Sequence, residues 1–305
     1  MTYDLIIVGG GPAGASAAVY AARKQLHTLL ILKEWGGQSI VSDDIQNWIG
    51  TPHISGAKLA ENLKSHVMEY AGEFLSVKEG QYVSSAARAD GSVSVTLENG
   101  ESFSASSLLI TTGSQRRKLD VPGADIFEHK GVTYCASCDG PFFSSMGVVV
   151  VGGGNAGFES AAQLLAYCKS VTLLSRSEAR ADAITIEKLK SNPKFTLIEN
   201  VTPTEVHGDG FVTGISYKTA TGEIVKLDAS GVFVEVGQIP ATAWAKDIAT
   251  LDEGGRVKID PWTQQAGENV WAAGDCTNIL YHQNNIASGD AVRAIEDIYV
   301  HLKTK

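Results

Sequence analysis

Cysteine is scarce in this 305-residue chain, with four residues at positions 135, 138, 168 and 276. They are too few and too unevenly placed for a disulfide framework, which excludes a small stapled secreted scaffold and suits a reducing, cytoplasmic setting. Positive charge is also short. Lys plus Arg is 25 against 34 for Asp plus Glu, a net charge of −9, the wrong sign for a nucleic-acid binder or an anionic-membrane binder. An anionic ligand must therefore be held by a local site. The seven histidines form no H-x-x-x-H or triad-like cluster, so hydrolytic and zinc-protease chemistry finds no support. No membrane-spanning run is present either. Leu5–Ala22 carries no charge, but Gly9, Gly10, Gly11 and Pro12 would break a helix in lipid, and Asp4 stands where a signal peptide would carry Lys or Arg. The expectation is a soluble chain without a removable N-terminus.

Glycine, by contrast, is abundant, with 32 residues beside 44% hydrophobic composition. The length is about twice that of a common single domain and leaves room for two buried cores. The chain also repeats itself. An apolar run at Tyr3–Val8 leads into Gly9-Gly10-Gly11-Pro12-Ala13-Gly14, an Ala-rich helical stretch to about Lys24 and a second run at Thr28–Leu32. Val148–Val151 leads likewise into Gly152-Gly153-Gly154-Asn155-Ala156-Gly157, a helix to about Cys168 and a run at Val171–Leu174. Downstream of each, a hairpin signal (Asn99-Gly100, then Thr221-Gly222) separates short strands, and a buried run (Leu108–Thr111, then Val232–Val236) ends in glycine.

The fold class expected is therefore α/β, with two Rossmann-like dinucleotide-binding domains, each a parallel βαβ sheet with an antiparallel β-meander. A last strand at Asn269–Ala273 and a helix at Ile286–Leu302 begin no third unit. They are expected to return to the first domain, giving residues 1–115 and 245–305 as one discontinuous dinucleotide-binding domain and 116–244 as the other. No Pro/Ser linker marks the crossings.

The glycine loops have a physical purpose at these positions. A pyrophosphate binds where the free N–H groups and positive dipole end of a helix face it, and glycine lets the backbone approach. Gly9, Gly11 and Gly14 supply G-x-G-x-x-G between strand and helix, and Glu34 follows Gly14 by 20 residues, where an acid accepts the ribose hydroxyls. Gly152, Gly154 and Gly157 repeat the loop, but the next strand ends in Ser175-Arg176-Ser177, with Arg180 beyond and no acid. Arginine there suits the 2′-phosphate of NADPH, although Arg176 and Arg180 equally suit a solvated strand end, so NADPH and NADH both stay open. Two dinucleotide domains fit a bound flavin plus a diffusible nicotinamide.

Cys135-Ala136-Ser137-Cys138-Asp139 sets two thiols two residues apart before Gly140-Pro141. That spacing permits redox cycling or two metal ligands, and neither Cys168 nor Cys276 offers a partner at zinc-finger spacing. Asp139 is placed to manage a thiol proton, or is an ordinary turn former. Cys168 and Cys276 read as buried small residues.

These residues together resemble the low-molecular-weight thioredoxin reductase family, most closely its alkyl hydroperoxide reductase flavoproteins, over nearly the whole chain. The matching segments are Gly9–Gly14, Gly36-Gly37-Gln38, Asn47-Trp48, Thr112-Gly113, the run from Gly131 through Pro141, Gly152–Gly157 and Ala272 through Thr277. The resemblance implies an FAD site at Gly9, Gly11, Pro12, Ala13, Gly14, Glu34, Gly37, Gln38, Asn47, Thr112, Gly113, Gly274, Asp275 and Gln283. It implies that Cys138 faces the flavin, Cys135 exchanges with a protein substrate and Asp139 handles protons. For the nicotinamide it points to Gly152, Gly154, Asn155, Gly157 and Glu159, with Arg176 and Arg180. The chain departs from the family's usual His-Arg-Arg followed by another arginine, which opens NADH, and even ferredoxin, as the donor. An NAD(P)H oxidase is the further alternative. The peroxide-reductase flavoproteins carry an additional N-terminal thioredoxin-like region, whereas this chain starts directly at Tyr3-Asp4-Leu5. The disulfide substrate expected is then a separate thioredoxin-like, glutaredoxin-like or peroxiredoxin-system protein, met by a homodimer whose second domain rotates.

Overall fold

The computed structural model describes residues 3–42, 44–89 and 91–304. The chain divides into two compact units, Met1–Gln115 with Ile239–Lys305, and Arg116–Gln238. The second crossing therefore falls at 238/239, not near Trp244. Thr112 donates its hydroxyl to the Ala241 carbonyl at 2.7 Å, the Ala241 N–H donates to Gly113 at 3.0 Å, and Ala245 and Ile248 are buried in a core of the first unit.

In the first unit a parallel sheet runs in the order Val270–Ala272, Ser102–Ile110, Tyr3–Val8, Thr28–Ile31, Leu75–Lys78, with Gln265–Gly267 antiparallel at one edge. Its central stretches, residues 5–8, 29–31 and 108–110, read as continuous apolar runs because both faces are covered there. Leu5, Ile7, Leu30 and Leu109 join one core with the helices Pro12–Arg23 and Asn284–Thr304. Ile6, Val8, Leu29 and Ile110 join the other. Ala17, Ala18 and Ala21 face Ala291 and Ala294 in the helix-side core, so small side chains let the two helices approach closely. The expected short strand at Ser102–Ser104 and buried run at Leu108–Thr111 are one strand, Ser102–Ile110. Neither glycine nor proline separates them. The first half of that strand pairs antiparallel with Ser92–Leu97 while the second pairs parallel with Tyr3–Val8.

The second unit holds a five-stranded parallel sheet, in the order Phe195–Ile198, Ser170–Leu174, Gly147–Val151, Gly231–Val234, Val132–Thr133. The helix Asn155–Leu164 stops short of the expected Cys168, because tighter turn bonds take over: Ala166 N–H to Gln163 and Tyr167 N–H to Leu164. Here the meander, Thr202–Asp209, Phe211–Lys218 and Ile224–Asp228, forms a separate three-stranded sheet. No helix among the described residues is long and apolar enough to cross a membrane.

Candidate active site

The first glycine loop follows the carboxyl end of Tyr3–Val8, and its glycines answer to different demands. A Cβ on Gly9, whose φ is +128°, would lie 2.2 Å from the Thr111 carbonyl oxygen, and one on Gly14 would lie 1.8 Å from that of Gly9. The chain's own packing requires both. Gly11 is different: its φ of −77° suits any residue, and the nearest atom to an added Cβ is 3.9 Å away. A side chain there would project into an open cradle at a helix N-terminus that no side chain caps. That arrangement fits a dinucleotide phosphate.

Gly9, Gly11, Pro12 and Ala13 line a cleft together with Glu34, Gly37, Gln38, Thr112, Gly113, Gly274 and Asp275. Gly14 lies beneath the loop. Asn47 and Gln283 do not line the cleft but meet each other, Asn47 Nδ2 donating to Gln283 Oε1 at 3.0 Å, with Asn285 Nδ2 donating to the Asn47 carbonyl at 2.7 Å. Lys33, Ser39, Gln81, Tyr82, Trp244 and Asn284 also line the cleft and were not anticipated. Lys33 adjoins Glu34 and could have been found. Tyr82 carries no motif; it arrives because Gly80 and Gln81 donate their N–H groups to Lys33 and Leu32 across the sheet edge, and the Lys33 ammonium stands 4.8 Å from its ring.

The second loop repeats the construction. A Cβ on Gly152 would lie 2.2 Å from the Glu235 carbonyl oxygen and one on Gly157 would lie 1.9 Å from that of Gly152, whereas Gly154 has nothing within 4 Å. The helix Asn155–Leu164 again starts without a side-chain cap. Asn155 Oδ1 accepts the Asp182 N–H at 3.0 Å, and the Arg180 N–H donates to the Gly153 carbonyl at 2.8 Å. This ties the segment after Ser170–Leu174 to the loop. Arg176, Arg180 and Glu159 are exposed, and Arg180 joins Ser177 and Asn200 in an open polar depression. Glu235, at the end of Gly231–Val234, was not anticipated. Ser160 donates its hydroxyl to Glu235 Oε1 at 2.6 Å, while burial pushes this carboxyl's pKa up, against the pull of that hydrogen bond and of Arg116.

Cys135 and Cys138 form a disulfide, with Cα atoms 5.3 Å apart. The single helical turn Ala136–Asp139 produces this closeness: Cys135 is its N-cap, its sulfur accepts the Cys138 N–H at 3.2 Å, and its carbonyl accepts the Asp139 N–H at 3.0 Å. Cys138 is exposed and Cys135 half-buried. Thr133 donates its hydroxyl to Asp139 Oδ2. Burial raises the Asp139 pKa above the usual carboxylate range, and the Thr133 hydrogen bond, Arg116 and His129 work against it. A carboxyl whose protonated form burial favours thus lies on the same helical turn that closes the disulfide. Cys168 and Cys276 are buried free thiols; burial pushes Cys276 up to about 12, which leaves no thiolate at neutral pH. Among the described residues no group of three or more His, Cys, Asp or Glu comes together to hold a metal.

Residues 3–294 match the pyridine nucleotide-disulphide oxidoreductase family. The chain belongs to that family. Over 303 residues it is 39% identical to a subunit of alkyl hydroperoxide reductase in Escherichia coli, covering 98% of this chain and 58% of the relative. It is 36% identical over 302 residues to an NADH dehydrogenase of Bacillus subtilis, again with 98% and 58% covered. The chain thus spans less than two thirds of the length of these curated relatives. Among solved structures, the thioredoxin reductase of Streptococcus pyogenes matches with a TM-score of 0.91 and 31% identity, covering 100% of this chain and 99% of that one. As a member of the pyridine nucleotide-disulphide oxidoreductase family, the chain takes FAD and a nicotinamide nucleotide as cofactors.

Proposed function

We propose that the chain reduces a thioredoxin-like, glutaredoxin-like or peroxiredoxin-system disulfide through Cys135 and Cys138. The observation that carries this reading is the disulfide closed within one helical turn, with Asp139 held beside it by Thr133. FAD, when bound, supplies a two-electron relay between a nicotinamide and that disulfide. The first glycine loop, with Glu34, Thr112, Gly113, Gly274 and Asp275, would hold it, and the second loop would hold the nicotinamide nucleotide.

The protein residues do the rest. Reduction frees two thiols; the Cys135 thiolate attacks the partner disulfide, the sulfur it displaces takes a proton by way of Asp139, and Cys138 then attacks Cys135 to release the partner as a dithiol. Atoms and electrons balance within this exchange. A thioredoxin-type partner accords with the Streptococcus pyogenes neighbour and a peroxide-linked partner with the Escherichia coli relative. Arg176 and Arg180 favour NADPH. The Bacillus subtilis relative's name favours NADH and motivates a second reading, in which turnover with NADH ends on a non-disulfide acceptor. We further propose a cytoplasmic homodimer.

The test is nicotinamide oxidation by the flavin-loaded protein with purified thioredoxin, glutaredoxin or peroxiredoxin disulfide supplied in turn. The reading expects one of them to be reduced in step with nicotinamide loss, and no turnover of it in Cys135→Ser. Equal nicotinamide loss in the variant, with every protein disulfide untouched, supports the second reading.

A further inference from the structure

Thr133 is buried, 6% exposed, and its hydroxyl makes two hydrogen bonds that meet at the reacting groups. It donates to Asp139 Oδ2, and it accepts the backbone N–H of Cys135 at 3.4 Å. One small side chain thus links the acid to the backbone of one cysteine of the pair. The Asp139 N–H to Cys135 carbonyl bond closes the same turn from the other side. The charged groups that act on Asp139 are Arg116 and His129, both favouring its ionised form.

We propose that Thr133 is a positioning residue for thiol–disulfide exchange at Cys135–Cys138, aiming the Asp139 carboxyl and setting the pH at which it releases its proton. This rests on the disulfide-reductase reading above. When a dithiol attacks the pair, its thiolate forms a bond to one cysteine sulfur and the Cys135–Cys138 bond breaks. The other cysteine sulfur leaves with the electron pair and takes the Asp139 proton. The attacker's second thiol returns a proton to Asp139 and displaces the first sulfur, leaving an oxidised attacker and a reduced pair. Exchange with a partner disulfide runs these steps backwards. A hydroxyl that donates to the carboxylate favours its ionised form. Without that hydroxyl, Asp139 keeps its proton to higher pH.

The experiment uses the full chain with its flavin, oxidised and anaerobic, mixed with dithiothreitol from pH 5 to 9. The reaction is quenched with an alkylating reagent, cysteine labelling is read by mass, and rates are expressed per dithiothreitol thiolate. Wild type is expected to fall through one inflection as Asp139 ionises. In Thr133→Val, which keeps the shape and loses the hydroxyl, the inflection moves up by about one pH unit, making the variant up to about tenfold faster above it, relative to its own plateau. Thr133→Ser restores the wild-type position, and Asp139→Asn abolishes the inflection. A Thr133→Val profile that is lower in rate with its inflection unmoved overturns the proposal, because that is what a merely structural threonine would give. A wild-type pair that dithiothreitol reduces at no pH overturns the disulfide-reductase reading, and this proposal with it.

Discussion

In the first glycine loop a Cβ on Gly14 would lie 1.8 Å from the Gly9 carbonyl oxygen, and in the second a Cβ on Gly157 would lie 1.9 Å from that of Gly152. Gly9 and Gly152 are matched as well: a Cβ on either would lie 2.2 Å from a carbonyl oxygen on a neighbouring strand exit, at Thr111 and Glu235. Gly11 and Gly154 are the positions that the protein itself leaves free. The two loops diverge beyond that. Around the first, Lys33, Glu34 and Tyr82 extend the walls of a cleft; around the second, Arg176 and Arg180 stand in solvent, Arg180 at an open polar depression. Two glycines of the motif thus report on strand–helix packing and one reports on a ligand. The residues past the second strand decide how tightly that ligand is enclosed.

The largest expected effect separates the redox pair from both loops. Cys135→Ser should cut protein-disulfide reduction by at least about 10³-fold, as loss of a nucleophile does, while nicotinamide-driven bleaching of the flavin band continues. Loss of both together in a folded variant would break the division of labour.

Next come the glycines themselves. Gly157→Ala should destabilise its unit by about 3 kcal/mol through overpacking, read as a drop in Tm. Gly154→Ala should leave Tm unchanged and abolish nicotinamide binding. Gly11→Ala should likewise purify folded but colourless, whereas Gly14→Ala should not accumulate folded. Equal Tm losses in Gly154→Ala and Gly157→Ala would erase the distinction between packing and ligand glycines.

A smaller effect tests the open arginines. Arg176→Ala with Arg180→Ala should raise KM for NADPH about tenfold, the value of one charge-assisted hydrogen bond, and leave KM for NADH in place. Unchanged KM for both would return these residues to solvent.

The smallest effect concerns Glu235, whose carboxyl burial pushes upward in the folded protein. A raised pKa means that the folded state holds the proton longer than the unfolded one, so this group's contribution is fully present at acid pH and is lost as pH rises through its folded pKa. Glu235→Gln should therefore raise Tm at pH 7 relative to wild type, with the difference vanishing in acid. Melting curves across pH check the sign.

Much of this was legible in the residues. The doubled β-turn-α-β plan, the cysteine pair and the cleft-lining glycines follow from local rules, because a tight turn and a helix N-terminus are specified by adjacent residues. Long-range pairing was harder to read. The fusion of Ser102–Ser104 with Leu108–Thr111 depends on one strand having two different partners, and the detached meander of the second unit has no local signal. Glu235 and Thr133 were missed for a related reason. Each acts through a hydrogen bond, to Ser160 and to Asp139, that the folded chain creates and no motif announces. The crossing near Trp244 was misplaced because Ala241 belongs to the first unit by its bonds to Thr112 and Gly113 rather than by composition.

The most direct test of the central claim is an anaerobic reductive titration of the flavin-loaded protein, wild type beside Cys135→Ser, with dithionite and then with NADPH and NADH. Flavin and disulfide each take two electrons. The account predicts about four electron equivalents for full reduction of wild type, about two for the variant, and rapid bleaching of both proteins by at least one nicotinamide. An uptake of about two by both proteins would contradict it, because the Cys135–Cys138 pair would then stand outside the electron path.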